Sequence, residues 1–337
     1  MPRIHFLNVG KGDCHIIEHF SGRVTMIDIC GGNIEEDEAV KASATIRALL
    51  EDLAPSTQPS GDYGMSDRPT NPISYMKLHG ISKPFRFILS HPDMDHLDGF
   101  ESLCDQVGIT NFWDSGLRRE KPDFGGGQYR EEDWDAYELV RDKKREGVTV
   151  VNHIAGAVFP FANKGEPEDR GDCIHIVAPD ANLVTTANES EDHNDGSYVI
   201  VYNSAAGKII FPGDAHDGTW EHVLKNHSVR VENCAVLIAP HHGRDSDRDY
   251  AFLDTLKPKL TLFGYADSEH LGYEAYINRD LLKITNNQAG NVVMETQANG
   301  IDIFVENRKF AATFNAFNAE RTCCGSYFIG TIPIPTT

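Results

Sequence analysis

The sequence predicts an α/β fold in which two mixed sheets pack together and carry helices on their outer sides. Strand and helix patterns alternate through much of the chain, and hairpin patterns lie near both ends. Alternation of this kind is typical of stacked layers around a hydrophobic core. With 337 residues, of which 40 % are hydrophobic, the chain is long enough for one large domain with insertions or for two small domains.

The N-terminal third contains short strands, a helix and a long loop. Three strand patterns, RIHFLNV, CHIIEHF and RVTMIDI, are joined by turns. Behind an acidic first turn, apolar residues at helical spacing predict a helix within residues 35–53. The stretch 54–72, rich in Pro, Ser, Gly and Asp, reads as an inserted loop. A short helix (ISYMKLHGI) and a strand (PFRFILS) follow.

The rest of the chain continues the alternation. A helix is predicted in WDAYELVRDKKREG, and strands are predicted in VTVVNHIAG and CIHIVAP. From Ser197 onward strand and helix patterns alternate, and NVVMETQANGIDIFVE predicts a hairpin around Asn299-Gly300. Potential ligands recur just after strands, so the loops at one edge of the sandwich can converge on a single pocket.

The charge and composition of the chain disfavour some classes of function. The formal net charge is −20, which disfavours broad non-specific binding to duplex nucleic acid but does not exclude chemistry on a phosphodiester beside bound cations. No apolar run approaches the roughly 18 residues of a membrane span, and the start lacks a secretory pattern. Seven cysteines without a C-x-x-C pair predict a cytoplasmic protein. The adjacent Cys323 and Cys324 fit either a redox-active pair or an inert tail.

The stretch SHPDMDHLDG concentrates metal-capable side chains in one loop. His91, Asp93, Asp95 and His96 lie within six positions, and Asp98 follows. Like carboxylates at this spacing repel one another unless a cation lies among them. In a tight loop, His91 and Asp93 can face one cation while Asp95 and His96 face another. Mixed imidazole and carboxylate ligands around a metal pair favour hydrolysis.

Further candidate ligands lie beside strands downstream. His193 precedes the strand SYVIVY, Asp214 follows the strand in IIFPGD, and His241 and His242 follow the strand in LIAPHHG. Each of these residues alone is typical of a cap or a turn. Their joint occurrence in these strand contexts favours a metal site.

These motifs resemble a known family. HPDMDH resembles the H-x-H-x-D-H signature of the metallo-β-lactamase fold, an αββα sandwich, and MIDICGG, PGD and HHG resemble its accompanying motifs. More narrowly, HFLNVGKGDCHII, FPGDAHD, PHHGRDSD, EHLGYEAY and ETQANGIDIFV resemble the metallo-β-lactamase-like domain of bacterial DNA-uptake competence proteins (ComEC type). The resemblance spans roughly residues 3–306. It implies one domain over residues 1–310, with insertions at about 34–72 and 115–190, and a C-terminal tail at 311–337.

The resemblance also implies roles for individual residues. His91, Asp93 and His193 would hold one metal, and Asp95, His96 and His242 would hold the second, with Asp214 between them. Asp95 would also orient the hydroxide that bridges the two metals and attacks the substrate. Asp28 would steady the ligand loop by hydrogen bonding. Asp13 would do similar work or merely shape a turn.

The chain departs from the family pattern at several positions. Asp93 replaces a commoner histidine, which favours Mn or Mg beside Zn. Asn194 competes with His193 for the third motif, and we favour His193 for its spacing to the following strand. Arg244 would grip a substrate phosphate or pair with Asp245 or Asp247 at the surface. Two histidines near the motifs are further candidates for substrate contact: His241, and His270 as a catalytic acid or a phosphate contact.

Three functions remain open at this stage. The first is a dinuclear metal-dependent phosphodiesterase, acting as a nuclease on DNA with two divalent ions, Zn or Mn, and Mg as an alternative. The second is the hydrolysis of a small molecule such as a cyclic nucleotide, a lactone or a lactam, which the net charge of −20 favours. The third is a sensing or effector module that works through a protein partner. None of the three involves a membrane.

Overall fold

The structure is a computed structural model that describes residues 1–34, 61–164, 171–246, 248–265 and 271–334. The predicted helix within 35–53 therefore lies outside the described residues, as does His270. No helix in the described ranges is both long enough and apolar enough to cross a membrane.

Strands are short throughout the described part of the chain. In chain order they are β1 (Arg3–Phe6), β2 (His15–Glu18), β3 (Val24–Ile27), β4 (Arg86–Ile88), β5 (Asn111–Trp113), β6 (Thr149–Val151), β7 (Ile174–Ala178), β8 (Val199–Ser204), β9 (Gly207–Phe211), β10 (Val236–Ile238), β11 (Leu260–Phe263), β12 (Lys283–Thr285), β13 (Val292–Gln297), β14 (Gly300–Val305), β15 (Asn318–Cys323) and β16 (Ser326–Pro333).

These strands form two mixed sheets. The larger has the order β15-β16-β14-β13-β1-β2-β3-β4-β5-β6, and the smaller has the order β12-β11-β10-β9-β8-β7. In the larger sheet β3, β4, β5 and β6 run parallel, and the remaining pairs are antiparallel. In the smaller sheet β9, β10, β11 and β12 are parallel, while β7 and β8 join as an antiparallel edge.

Helices cover the outer faces of both sheets. In chain order, those described are α1 (Pro72–His79), α2 (Phe100–Gln106), α3 (Glu131–Arg141), α4 (Ala181–Ser190), α5 (Asp217–Val231), α6 (Phe252–Leu256), α7 (Tyr273–Ile277), α8 (Asn286–Ala289) and α9 (Arg308–Ala311). The first of them begins with Asn71, which caps the backbone N–H groups of Ile73 and Ser74, and ends at Gly80 in the left-handed conformation.

Three hydrophobic clusters define the layers. The central cluster joins inward residues of both sheets, such as Phe6 and Ile88 from the larger and Phe211 and Ile238 from the smaller. A second cluster packs α1, α2 and α3 on the outside of the larger sheet, and a third packs α5, α6 and α7 on the outside of the smaller one. This αββα sandwich confirms the predicted fold class.

The C-terminal segment and the β13–β14 hairpin differ in detail from the sequence predictions. Residues 318–333, which the sequence placed in a separate tail, form β15 and β16 and extend the larger sheet at its edge. The β13–β14 turn is formed by residues 298–299, because Gln297 pairs with Gly300. The domain boundaries themselves stay predictions.

Candidate metal centre

The motif loop follows β4, where the strand leaves the core. His91 comes three residues after the strand end, and Asp95 and His96 lie on a single 3-10 turn, Met94–His96, that begins at Asp93. His91 and His96 are almost completely buried. The loop is therefore anchored in the core and is not a free surface loop.

Hydrogen bonds fix the orientation of both histidine rings. Ser90 Oγ lies 3.0 Å from His91 Nδ1, and Asp28 Oδ2 lies 2.9 Å from His96 Nδ1. Asp28 Oδ1 also accepts the backbone N–H of Ser90 at 2.7 Å. Because the Nδ1 atoms are engaged, the Nε2 atoms point away from these contacts, as is typical of histidines that bind a metal through Nε2.

The smaller sheet supplies the opposing side chains. Asp214 follows β9 and His242 follows β10, two parallel neighbours whose carboxyl ends meet at the same sheet edge. Asp214 Oδ1 lies 3.3 Å from His96 Nε2, and its Oδ2 lies 3.9 Å from His91 Nε2 and 3.7 Å from His242 Nε2. Asp95 Oδ2 lies 3.4 Å from His242 Nε2.

The donor atoms form overlapping groups of metal-binding size. In each group the candidate ligand atoms lie within 4.8 Å of one another: His91, His96 and Asp214; Asp95, His96 and His242; Asp13, Asp214 and His242. Ligands at about 2.0–2.2 Å from one tetrahedral ion are separated by distances of this order. His96, Asp214 and His242 each contribute to two of these groups.

Unpartnered buried atoms test whether a cation fits this site. Buried polar atoms normally have hydrogen-bond partners. Here the Nε2 atoms of His91, His96 and His242 and Oδ1 of Asp214 are buried without a hydrogen-bond partner and face one another. Divalent cations among these atoms would satisfy them, and so the residues present fit a metal.

The carboxylates and histidines polarise one another strongly. Burial alone would raise the pKa of Asp214, but the charges on His242 and His96 outweigh it and hold the pKa well below its usual range. Burial likewise opposes the shift at His96 and at His242, yet the facing carboxylates raise both pKa values. At Asp95 the same balance lowers the pKa to about 2. The carboxylates therefore stay ionised near neutral pH, and their negative charge draws positive charge into the cluster, as protons on the rings or as a bound cation.

Asp13 lies beside the His242 ring. Its Oδ1 lies 3.2 Å from His242 Nδ1, the nitrogen that faces away from Asp214, and its Oδ2 lies 3.8 Å from His15 Nε2. Asp13 is almost completely buried in the turn after β1. This geometry matches the supporting role that the sequence analysis left open beside a simple turn role.

The structure does not bring His193 into these groups. Its Nε2 lies 3.1 Å from the backbone oxygen of Arg118. Asp93 is closer, with Oδ2 3.8 Å from His91 Nε2, but its Oδ1 contacts Arg119. Asp93 and His193 line the same cavity of about 570 Å³, together with Asn194. The roles given to Asp93, His193 and Asn194 as ligands therefore stay predictions.

The remaining predicted residues in the described part of the chain are His241 and Arg244. His241 Nε2 is 3.5 Å from Asp214 Oδ2, and its Nδ1 contacts Ser246 Oγ at 3.1 Å. Burial lowers the pKa of His241 to about 4. Arg244 is exposed, and its backbone pairs with Leu271. Its predicted contact with a substrate phosphate is not tested by these distances.

Sequence reasoning missed three residues that shape the site. Ser90 touches both His91 and His96, and its place directly before the motif was the available signal. Arg118 and Arg119 line the cavity beside Asp93 and His193 from a segment without a recognisable motif, and the fold alone brings them there.

Comparisons with known proteins find similarity in solved structures alone. No protein-family model matches the chain, and no curated protein matches it. A metallo hydrolase from the hyperthermophilic archaeon Ignicoccus hospitalis aligns at 12 % identity, over 88 % of this chain and 100 % of that one, with a TM-score of 0.46. A metal-dependent hydrolase of the β-lactamase superfamily aligns at 14 % identity, over 85 % and 96 %, with a TM-score of 0.43.

A third solved structure is a diphosphatase from the PhnP family, at 12 % identity over 78 % of this chain and 86 % of that one, with a TM-score of 0.36. At these TM-scores none of the three supports an inference about the function of this chain. The narrower resemblance to competence-protein domains stays a prediction. Function is therefore inferred from the geometry of the site.

Proposed function

We propose that this protein is a metal-dependent hydrolase that cleaves phosphodiesters, with two divalent ions held between the two sheets. The observation that carries the proposal is the convergence of three buried, unpartnered Nε2 atoms on the Asp214 carboxylate. Loops from both sheets contribute to this cluster, which is costly to bury unless it holds a cation.

The donor set indicates which ions the site would hold. His91, His96 and His242 supply imidazole nitrogens, and Asp95 and Asp214 supply carboxylate oxygens. Mixed nitrogen and oxygen donors suit Zn or Mn, with Mg as the harder alternative. When bound, such ions acidify a water and polarise a phosphoryl oxygen.

The protein's own residues would orient the substrate. The side chain of Asp95 is 30 % exposed whereas that of His96 is fully buried, and so Asp95 faces the open side of the cluster. From there its carboxylate can hold a proton or orient a water. Arg119 borders the cavity beside Asp93 and supplies a positive charge that suits a phosphate oxygen.

The experiment combines metal analysis with a substrate screen. Metal content of protein purified without chelators would be measured, and wild type would be assayed with Mn or Zn against single-stranded DNA, RNA, cyclic nucleotides and β-lactams. We expect up to two ions per chain and cleavage of phosphodiesters alone. Asp95→Ala should lower the rate by at least about a hundredfold, since it removes both a ligand and a proton-holding group.

Asp254→Ala is the matched control, because that aspartate is exposed on α6 and pairs with Arg279. It should retain wild-type activity and metal content. Full activity in Asp95→Ala, or a chain that binds no divalent ion at neutral pH, would rule out the proposed function.

A small phosphodiester is the second candidate substrate beside DNA. The net charge of −20 repels long polyanions, and a cavity of about 570 Å³ falls within the range of small-molecule sites. Competition separates the two candidates. If a cyclic nucleotide is the substrate, it should inhibit DNA cleavage at micromolar concentration, whereas DNA should inhibit its hydrolysis only weakly.

A further inference from the structure

The tip of the β15–β16 hairpin carries two adjacent cysteines in an unusual turn. Cys323 pairs with Ser326, which leaves Cys324 and Gly325 as the turn residues, with φ of 47° and 77°. Two-residue turns with positive φ at both positions favour Asn-Gly or Asp-Gly. A cysteine at the first position goes against this preference, and such local conflicts are typical of functional positions.

The two thiols lie in different polar environments. The sulfur atoms are 4.0 Å apart. Arg3 Nη1, from β1, donates to Cys324 Sγ at 3.4 Å, whereas the Cys323 thiol lies 3.4 Å from Glu295 Oε1 on β13. A guanidinium stabilises a thiolate and a carboxylate stabilises a thiol. The surroundings therefore favour one thiolate, at Cys324, beside one thiol, at Cys323.

Other charged groups near the turn act in the same direction. The hydrogen bond from Cys323 is the largest cause of the lowered pKa of Cys324, and it outweighs burial; His5, Arg3 and His79 contribute further, and the pKa falls to about 5. The hydrogen bond to Cys324 is the largest cause of the raised pKa of Cys323, and burial and Glu295 raise it further.

Buried cysteines elsewhere in the described part of the chain behave in the opposite way. Burial raises the pKa of Cys14 and Cys30 well above its ordinary value, and it raises the pKa of Cys104 and Cys234 to about 12. These four thiols stay protonated and shielded from solvent. Cys323 and Cys324 are partly exposed, and Cys324 combines this access with a lowered pKa.

We propose that Cys323 and Cys324 form an oxidation site for hydroperoxides, separate from the metal centre, in which Cys324 attacks and Cys323 resolves. The Cys324 thiolate attacks the terminal peroxide oxygen, the O–O bond breaks, and the departing oxygen takes up a proton. The Cys323 sulfur then attacks the Cys324 sulfenic acid, a disulfide forms, and water leaves. The two thiols lose two electrons in total, and the peroxide gains them.

The disulfide between Cys323 and Cys324 would be readily reduced again. Consecutive Cα atoms are about 3.8 Å apart across a trans peptide, closer than the roughly 4.4–6.8 Å usual for disulfides. A disulfide between neighbours is therefore strained, and strained disulfides are the ones that small thiols reduce easily.

The chain allows a direct test by peptide mass. Trypsin cleaves after Arg321 and releases residues 322–337 with both cysteines on one peptide. After treatment with one equivalent of hydrogen peroxide, this peptide should lose two hydrogen atoms and regain them with dithiothreitol. In Cys323→Ser the reaction should stop at the sulfenic acid, which dimedone labels at Cys324.

Rates and pH dependence complete the test. A thiol with pKa about 8.5 loses about tenfold of its thiolate between pH 7 and pH 6, whereas Cys324 should stay mostly ionised, and so its alkylation rate should change little over this interval. Arg3→Gln should move the midpoint of Cys324 alkylation to higher pH. A tenfold fall in Cys324 alkylation between pH 7 and pH 6, or a dimedone adduct absent from Cys323→Ser, would overturn the proposal. Neither readout depends on hydrolysis at the metal centre.

Discussion

At the scale of single residues, two carboxylates outside the Nε2 cluster decide where the histidine rings point. Asp28 holds Nδ1 of His96 at 2.9 Å, and Asp13 faces Nδ1 of His242 at 3.2 Å. The hydrogen bond from Asp28 fixes the ring of His96, the Asp13 carboxylate lies beside the ring of His242, and Nε2 of both rings lies on the side of Asp214. A carboxylate in this position also makes the imidazole a better ligand.

We predict that Asp28→Asn and Asp13→Asn each weaken metal binding by about 10–100-fold while leaving the fold intact. An amide keeps the volume of the side chain but removes the negative charge that orients and activates the ring. Metal titration followed by calorimetry would measure the effect. Asp254→Asn, on the exposed face of α6, is the control and should bind metal as wild type does. Unchanged affinity in both variants would show that the rings do not need these partners.

At the scale of elements, the loop after β3 is joined to the motif loop along its length. The backbone N–H groups of Ile29 and Gly32 donate to the backbone oxygens of His96 and Asp98 at 3.1 Å each. Gly99 closes the contact with φ of +99°, and a Cβ there would lie 2.3 Å from Gly32 Cα. The close approach of these two glycines thus keeps Asp28 beneath His96.

We predict that Gly99→Ala destabilises the fold by about 3 kcal/mol, because the new methyl group meets backbone and the left-handed conformation is strained. Gly127→Ala is the matched control, since its φ is +74° but no atom lies within 4 Å of the added Cβ. It should cost about 1–2 kcal/mol from backbone strain alone. Urea unfolding in the presence of chelator gives both values, and equal losses would contradict the close-approach argument.

A buried histidine links the two sheets at another point. His19 lies just after β2, its Nε2 is 2.7 Å from Thr25 Oγ1 on β3, and its ring meets Tyr202 of β8 edge to face. The other ring nitrogen, Nδ1, is buried without a hydrogen-bond partner. Burial lowers the pKa of His19 to about 3, and so the folded protein holds the neutral ring.

The lowered pKa of His19 predicts that the folded protein loses stability in acid. Because the folded pKa lies below the unfolded value of about 6.5, the stability is complete above pH 6.5 and is lost as the pH falls towards the folded pKa of about 3. Protonation linked to His19 should lower the unfolding free energy by about 2 kcal/mol between pH 7 and pH 5. His19→Gln, which keeps a hydrogen bond to Thr25 without titrating, should show a shallower decline in urea-unfolding free energy. Identical pH profiles for the two proteins would contradict the prediction.

At the scale of the whole molecule, the metal centre joins loops that follow strands of different sheets. His91 and His96 belong to the larger sheet, and Asp214 and His242 belong to the smaller one. A cation bound there connects the two halves of the sandwich directly. Binding to the folded state alone must then stabilise the entire chain.

We predict that chelation lowers the unfolding free energy by about 4 kcal/mol relative to protein with metal at a thousandfold excess over Kd. For a chain of 337 residues this corresponds to about 6 °C in Tm. Differential scanning calorimetry with and without chelator would measure it. In Asp214→Asn the chelator should have little effect, because the shared ligand is gone, and a shift equal to that of wild type would contradict the assignment of Asp214.

The sequence by itself determined the layers of the fold and the identity of the central cluster. Apolar patterns predicted β1, β4, β9 and β10. The residues that a strand buries lie close together in the sequence, and so a short stretch is enough to recognise them. His91, His96, Asp214 and His242 were recognisable because motif spacing in a loop is also local. Residues 318–333 had weaker patterns, and pairing with β14 decided their place in the larger sheet.

Only the tertiary structure decided what surrounds that cluster. The side chains of Asp13 and His242 are brought together across the sandwich, and Arg119 reaches Asp93 from a segment without a motif. The contact of Arg3 with Cys324 joins residues from opposite ends of the chain. Such contacts depend on sheet order and loop path, which long-range packing sets. The periodicity of a single segment carries no information about which distant segment will lie beside it.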